Sequence, residues 1–222
     1  GASVGGDDRY LVISAANSTS GNKLFIKDLQ SESDDLIVVF ADESADGSLL
    51  ESDDAYLLIE TNRDAPKGRV IAVDPQTAGE TDWRDVIPES EHVLNASSSA
   101  GYLFAEYMID AISQVKQYDL NGNLIRDIEL PDLGSASGFG GKKEQENVFF
   151  TFTNYRIAPA IFSLDPESGD VSLYRASKSP FDGNEYQTEQ VFYTSKDGTR
   201  VPMIITYAKG TVLDGSTPTI LY

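Results

Sequence analysis

The sequence contains no cysteine and a single histidine, His92, in 222 residues. The first absence removes disulfides and thiolate metal sites. The second means that a Ser-His-Asp triad confined to this stretch has to use His92, and that a zinc site would lack a second imidazole. No run approaches 18 apolar residues, so nothing reads as a helix that crosses a bilayer, and no membrane partner is expected. Positive charge is scarce: 17 Lys and Arg stand against 36 Asp and Glu, a net charge of −19. Phosphate binding needs clustered Lys and Arg, so nucleic acid is not an expected partner either, and the acidic excess reads as a solubilising surface. Helical periodicity is nearly missing. The one candidate, 105–115, holds Ser113 and sits where neighbouring units carry strands, so it reads as strand. What is present is an ordinary folded composition, 40% hydrophobic and 10% aromatic.

That composition is arranged in four β-rich units. Their second strands begin at Tyr10-Leu-Val-Ile, Tyr56-Leu-Leu-Ile, Tyr102-Leu-Phe-Ala and Val148-Phe-Phe-Thr, spaced 56−10 = 46, 102−56 = 46 and 148−102 = 46. Third strands run into an aspartate at Asp28, Asp74, Asp119 and Asp165. A turn and a fourth strand follow each, over 36–40, 83–87, 124–128 and 170–174. First, inner strands are expected at 2–4, 48–51, 92–97 and 136–140, rich in small residues that suit a crowded axis. Four short strands every 40 to 50 residues is the pattern of β-propeller blades. The aspartates read as turn formers rather than as an array of acids. Asn121-Gly122 supplies a hairpin step between the third and fourth strands of the third unit, and Asp197-Gly198 another between runs at 189–194 and 201–207. A further short strand is expected over 217–222.

Several motifs have a bland reading that outweighs the chemical one. Gly1-Ala2-Ser3-Val4-Gly5 matches a nucleophile pattern, but Ser3 has no strand before it and no helix after it. His92 stands at the start of an inner strand, where a structural or channel-facing role is expected. Gly138-Phe-Gly-Gly-Lys142-Lys143 lacks the spacing and the helix of a phosphate loop. Glu32-Ser-Asp34-Asp35 and Glu51-Ser-Asp53-Asp54 do not reproduce a calcium loop and read as solvated charge. No catalytic residue, no cofactor and no metal site is assigned.

The region from Tyr186 onward resembles the start of the peptidase domain of the prolyl oligopeptidase family. The resemblance rests on Tyr186-Gln-Thr, Val191-Phe-Tyr, Ser195-Lys-Asp-Gly-Thr, Val201-Pro-Met, Asp214-Gly-Ser, Pro218 and Leu221-Tyr222. It implies an all-β chain, four blades of a seven-bladed β-propeller over 1–178, followed over 179–222 by the first strands of an α/β-hydrolase domain. In that family a Gly-Tyr-Gly-Gly stretch carrying an oxyanion-hole tyrosine comes next, so the triad is expected beyond Tyr222 and this stretch alone is expected to be inactive. The implied enzyme is a serine oligopeptidase that cuts short peptides after proline, with the propeller acting as a size filter. Two alternatives stay open: a related oligopeptidase of another specificity, such as the basic-residue enzymes, and a non-enzymatic propeller that binds a partner. Family members also place an arginine just after the Tyr-Leu-Val-Ile strand, where this sequence has Ala15 and Ala16. A four-blade piece is further expected to need the rest of the enzyme, or a second copy, to cover its open faces.

Overall fold

The computed structural model describes residues 1–5, 8–52, 55–78 and 82–221. Sixteen of its strands form four antiparallel meanders, each with its strands side by side in chain order. The first blade holds β1 (Ala2–Val4), β2 (Tyr10–Ala15), β3 (Lys23–Asp28) and β4 (Ile37–Phe40). The second holds β5 (Gly47–Ser52), β6 (Leu57–Thr61), β7 (Arg69–Val73) and β8 (Arg84–Ile87). The third holds β9 (Leu94–Ser99), β10 (Tyr102–Ile109), β11 (Ile112–Tyr118) and β12 (Leu124–Asp127), and the fourth β13 (Ser135–Ser137), β14 (Val148–Thr153), β15 (Ala160–Leu164) and β16 (Val171–Arg175). A separate ribbon pairs β17 (Tyr186–Thr194) with β18 (Arg200–Ala208). The expected strand at 105–115 is two strands, because Asp110 and Ala111 take φ of 51° and 68° and turn the chain back on itself.

The core lies in the seams between blades. Tyr10, Val12, Leu24, Ile26 and Phe40 pack against Leu57, Ile59, Ile71 and Val73. Leu58, Val70 and Ile87 meet Leu94, Leu103 and Tyr107 in the next seam, and Phe104 and Val115 meet Phe139, Phe150 and Phe162 in the third. The second strands of the two middle blades, β6 and β10, therefore give alternate residues to the two neighbouring seams, as a period of two dictates. In the last seam Phe139 stacks between Phe104 and Phe150, at centroid distances of 5.7 and 4.5 Å. Offset ring pairs of this kind add to what their buried area contributes.

All four repeat aspartates make the same turn. Asp28, Asp74, Asp119 and Asp165 each accept, through Oδ1, the amide two residues on, at 2.8–2.9 Å. The hairpin after Asp119 differs from a two-residue turn: Asp119 N–H donates to the Asn123 carbonyl and Gly122 N–H to the Asp119 carbonyl, giving a three-residue loop in which Gly122 has φ 89°. Ser195 to Thr199 repeats this loop, with Gly198 at φ 89°. Only the glycine needs positive φ there, which is why Asn121 and Asp197 keep ordinary backbone.

Two boundaries are corrected. The third inner strand starts at Leu94, not His92, because Ser90 Oγ bonds both the amide and the carbonyl of His92 and holds it in a turn. Residues 217–221 form no strand. Among the described residues no strand pairs with them, and local bonds prevail: Ser216 bonds Asp214, and Thr219 Oγ1 donates to the Thr217 carbonyl. Tyr222 lies outside the described residues.

Candidate functional site

In a meander the connections alternate between two rims. One rim carries the links between second and third strands and the links between blades. On it, blades two and four are built alike. Thr61-Asn62-Arg63 and Thr153-Asn154-Tyr155-Arg156 follow their second strands, and each arginine reaches back to an aspartate of the preceding link. Arg63 Nη2 donates to Asp42 at 2.7 Å, with its guanidinium over the Phe40 ring at 4.9 Å. Hydrogen bonds from the Ser44 hydroxyl and amide, and then from Arg63, hold the Asp42 carboxyl down at about 2. Arg156 grips Asp132 in the same way, and Asn154 Nδ2 donates to Asp132 and to the Leu133 carbonyl at 3.0 and 2.7 Å. Burial pushes the Asp132 carboxyl up, but donors from Arg156, Leu133 and Asn154 outweigh it and leave it below its ordinary value.

The third blade has the two-residue Asp110-Ala111 turn in place of such a loop. Over that low point the ribbon is seated: Gln190 Nε2 donates to the Asp110 carbonyl at 2.6 Å, and Arg200 lies 3.9 Å from the Asp110 carboxylate. The approach to the ribbon crosses the same rim, since a Cβ on Gly183 would stand 1.8 Å from the Arg156 carbonyl. A cleft of about 410 Å³ opens between blades two and three, bordered by Asp46, Glu60, Asn62, Lys67 and Leu94. Asp46 is already engaged there by the Gly21 amide and Asn62 Nδ2, at 2.8 and 3.0 Å.

The structure disperses the chemical motifs. Ser3 is a ladder residue opposite Val12 in the first blade, while His92 occupies a turn before the third. Within Gly138–Lys143 the inner strand has already ended at Ser137, and the segment seals a seam: Phe139 is fully buried, Gly141 N–H donates to the Ser98 carbonyl, and the Lys142 carbonyl accepts from Ala100 N–H. Asp34 pairs with Lys27 at 3.2 Å, and Asp35 accepts from the Ser33 hydroxyl. Asp53 and Asp54 lie outside the described residues, and Glu51, read as solvated charge, is instead buried, with its Oε1 accepting from the Ser52 amide at 3.0 Å. Among the described residues no three His, Asp or Glu side chains gather as metal ligands would. Sequence reading missed Glu60 and Glu106, two glutamates at interior positions of second strands. The signal was available: they stand at the same place in successive repeats.

The family model for the prolyl oligopeptidase N-terminal β-propeller domain matches residues 1–177. The chain belongs to the prolyl oligopeptidase family. A prolyl endopeptidase of Elizabethkingia meningoseptica is 46% identical over 222 residues, covering all of this chain and 31% of that protein. The prolyl endopeptidase of Elizabethkingia miricola is 45% identical over 216 residues, 97% of this chain and 30% of its own length. Among solved structures, apo prolyl oligopeptidase B from Galerina marginata superposes with a TM-score of 0.84 at 26% identity, over 97% of this chain and 32% of that one. The chain thus spans about a third of the length of the curated relatives it matches, and the four meanders are blades of the prolyl oligopeptidase propeller.

Proposed function

We propose that this chain is the propeller portion of a serine-type oligopeptidase that hydrolyses short peptides on the carboxyl side of proline, with residues 179–222 forming the entry into its peptidase domain. The observation that carries the reading is the ribbon. After the fourth blade the chain turns back over one rim, and β17–β18 is seated on the Asp110-Ala111 turn. A domain begun by that ribbon would sit over this rim, and substrate would be screened by the packed blades beneath it. Peptide substrates are the partners implied. Ala15 and Ala16 lie exposed on the same rim, so no substrate-holding arginine is assigned at that place.

The test uses the full-length protein that contains this chain. Fluorogenic peptides carrying proline, or lysine, before the cleaved bond are offered at several lengths, beside a folded protein with an exposed proline. Turnover of short proline peptides, loss of turnover with length and an intact folded protein are expected. Preferential cleavage after lysine would replace this reading with the basic-residue oligopeptidase, and no cleavage of any peptide would favour a binding module. Residues 1–222 alone are expected to be inactive, because nothing brings Ser3 to His92 and such enzymes lose several orders of magnitude with their triad.

A further inference from the structure

Glu60 and Glu106 occupy one repeat position, 106−60 = 46 residues apart, and the equivalent places in the first and fourth blades hold Ser14 and Phe152. On β6, Glu60 points with Leu58 into the seam with the third blade, where Ala96 N–H of β9 donates to its Oε1 at 3.0 Å. On β10, Glu106 shares a side with Phe104, which packs into the seam with the fourth blade; Glu106 is 7% exposed and stands opposite Asn95 in the ladder with β9. Each carboxyl is thus driven from a second strand into the inner edge of the next blade.

Among the described residues neither makes an ion pair: Lys67, which borders the same cleft as Glu60, is turned to the Glu91 carbonyl at 2.6 Å. From β11, the neighbour of β10, Lys116 is turned to Asp127 at 2.6 Å. Beyond β13, Lys142 is exposed and Lys143 half-exposed on the loop that follows Phe139. The charge that reaches Glu106 is that of Glu60, which repels it. A carboxylate in so dry a place loses hydration that its neighbours do not replace, whereas the neutral acid costs far less to bury.

We propose that the seam between the third and fourth blades is proton-linked: Glu106 is held there as the neutral acid, and its ionisation, opposed by Glu60, loosens the inner edge of the seam. Burial, reinforced by Glu60, pushes the Glu106 carboxyl up to about 7, and burial pushes Glu60 up as well. Between the ordinary glutamate range and about 7 the folded chain binds more protons than the unfolded one, so stability falls as pH rises through that window and is regained on mild acidification. This direction is opposite to that of Asp132 and Asp42, whose contributions are lost only in strong acid. The inference rests on the fold and not on the peptidase reading.

The test compares the full-length protein with Glu106→Gln and Glu60→Gln, by thermal unfolding and by hydrogen exchange over residues 135–147, at pH 5.5 and pH 8.5, with exchange corrected for the intrinsic rate. Glu106→Gln should melt several degrees above the parent at pH 8.5 and match it at pH 5.5. Glu60→Gln should move in the same direction by less. In the parent, 135–147 should exchange faster at pH 8.5, and in Glu106→Gln that change should vanish. A Glu106→Gln protein that melts lower than the parent by one margin at both pH values would overturn the proposal, as would exchange over 135–147 that does not respond to pH in the parent. Should Glu106→Gln fail to fold, the exchange profiles of the parent and of Glu60→Gln decide the same question.

Discussion

The fourth blade has two sides made from the same strands. On one, Val148, Phe150, Phe152, Ala160, Phe162 and Leu164 are buried against the third blade. On the other, Phe149 and Ile161 stay 40% and 37% exposed, and Tyr174 stacks edge-on to Phe149 at 4.9 Å with 64% of its own surface open. The first blade mirrors this: Tyr10, Val12, Leu24 and Ile26 are covered, while Val38, beside Phe25, is exposed. Alternation normally puts polar residues on the side that faces water. Here both sides are apolar, so these are strands of a sheet meant to be flanked twice. An apolar strand pair alone does not make a core; the neighbour that fits it does.

The covered side can be broken at Phe139, whose ring fills the space between Phe104 and Phe150. Phe139→Ala leaves a cavity that neither blade can close, and about 3–5 kcal/mol of stability should be lost, read as a shift of the denaturant midpoint. Gly122→Val attacks a different seam. Its Cβ would lie 2.0 Å from the Val86 carbonyl of the second blade, and a β-branched residue resists φ 89°. Strain of about 1–3 kcal/mol follows from the backbone alone, with the collision added to it. A thermal melt equal to that of the parent would mean that the third blade does not lean on the second at this loop.

Much of this is legible in the sequence because a repeat multiplies weak signals. One Tyr-Leu-Val-Ile run is ambiguous, while four related runs at a period of 46 specify blades, and the four aspartates announce turns of one kind. Sequence reasoning fails where a single local choice has no repeat to support it. Asp110-Ala111 carries no glycine, so a hairpin with two positive φ values is hidden inside an apparent strand. The 217–221 segment has β-forming residues but no partner strand, and propensity without a ladder decides little. The Asp132–Arg156 and Asp42–Arg63 clamps join residues more than 20 apart, which no local pattern reveals. Glu60 and Glu106 escape a reading built on apolar strand starts, since they appear only as charged exceptions inside those strands.

The rim tests the same contrast with polar groups. Asp132 is partly buried and accepts from Arg156, Asn154 and Leu133. Asp132→Asn keeps the shape but removes the charge, and about 1–2 kcal/mol should be lost at pH 7. Because the folded carboxyl titrates below its ordinary value, its contribution is complete above the unfolded carboxylate range and disappears as pH falls through the folded one. Parent and variant should therefore differ at pH 7 and converge in strong acid. A gap that persists unchanged to acid pH would assign the loss to packing rather than to the charge.

The uncovered side should give the smallest effect on the folding of the chain and the clearest effect on its association. Phe149 stacks edge-on to Tyr174 and keeps 40% of its surface open. Phe149→Ser gives up less burial than Phe139→Ala, and the change in unfolding free energy should be about 1 kcal/mol. Residues 1–222 alone nevertheless present this side to solvent together with the Val38 side of the first blade, and apolar patches of that kind are rarely left bare on stable monomers. In light scattering after gel filtration the isolated chain should therefore run above its 24.2 kDa mass, and Phe149→Ser together with Ile161→Ser should return it toward the monomer. The same pair of substitutions in the full-length protein should cost more than in the isolated chain, since there a further blade is expected to rest on these side chains. Equal costs in the two settings, with a monomeric parent chain, would show that the two sides of the fourth blade differ in name only and that its outer face is built for water.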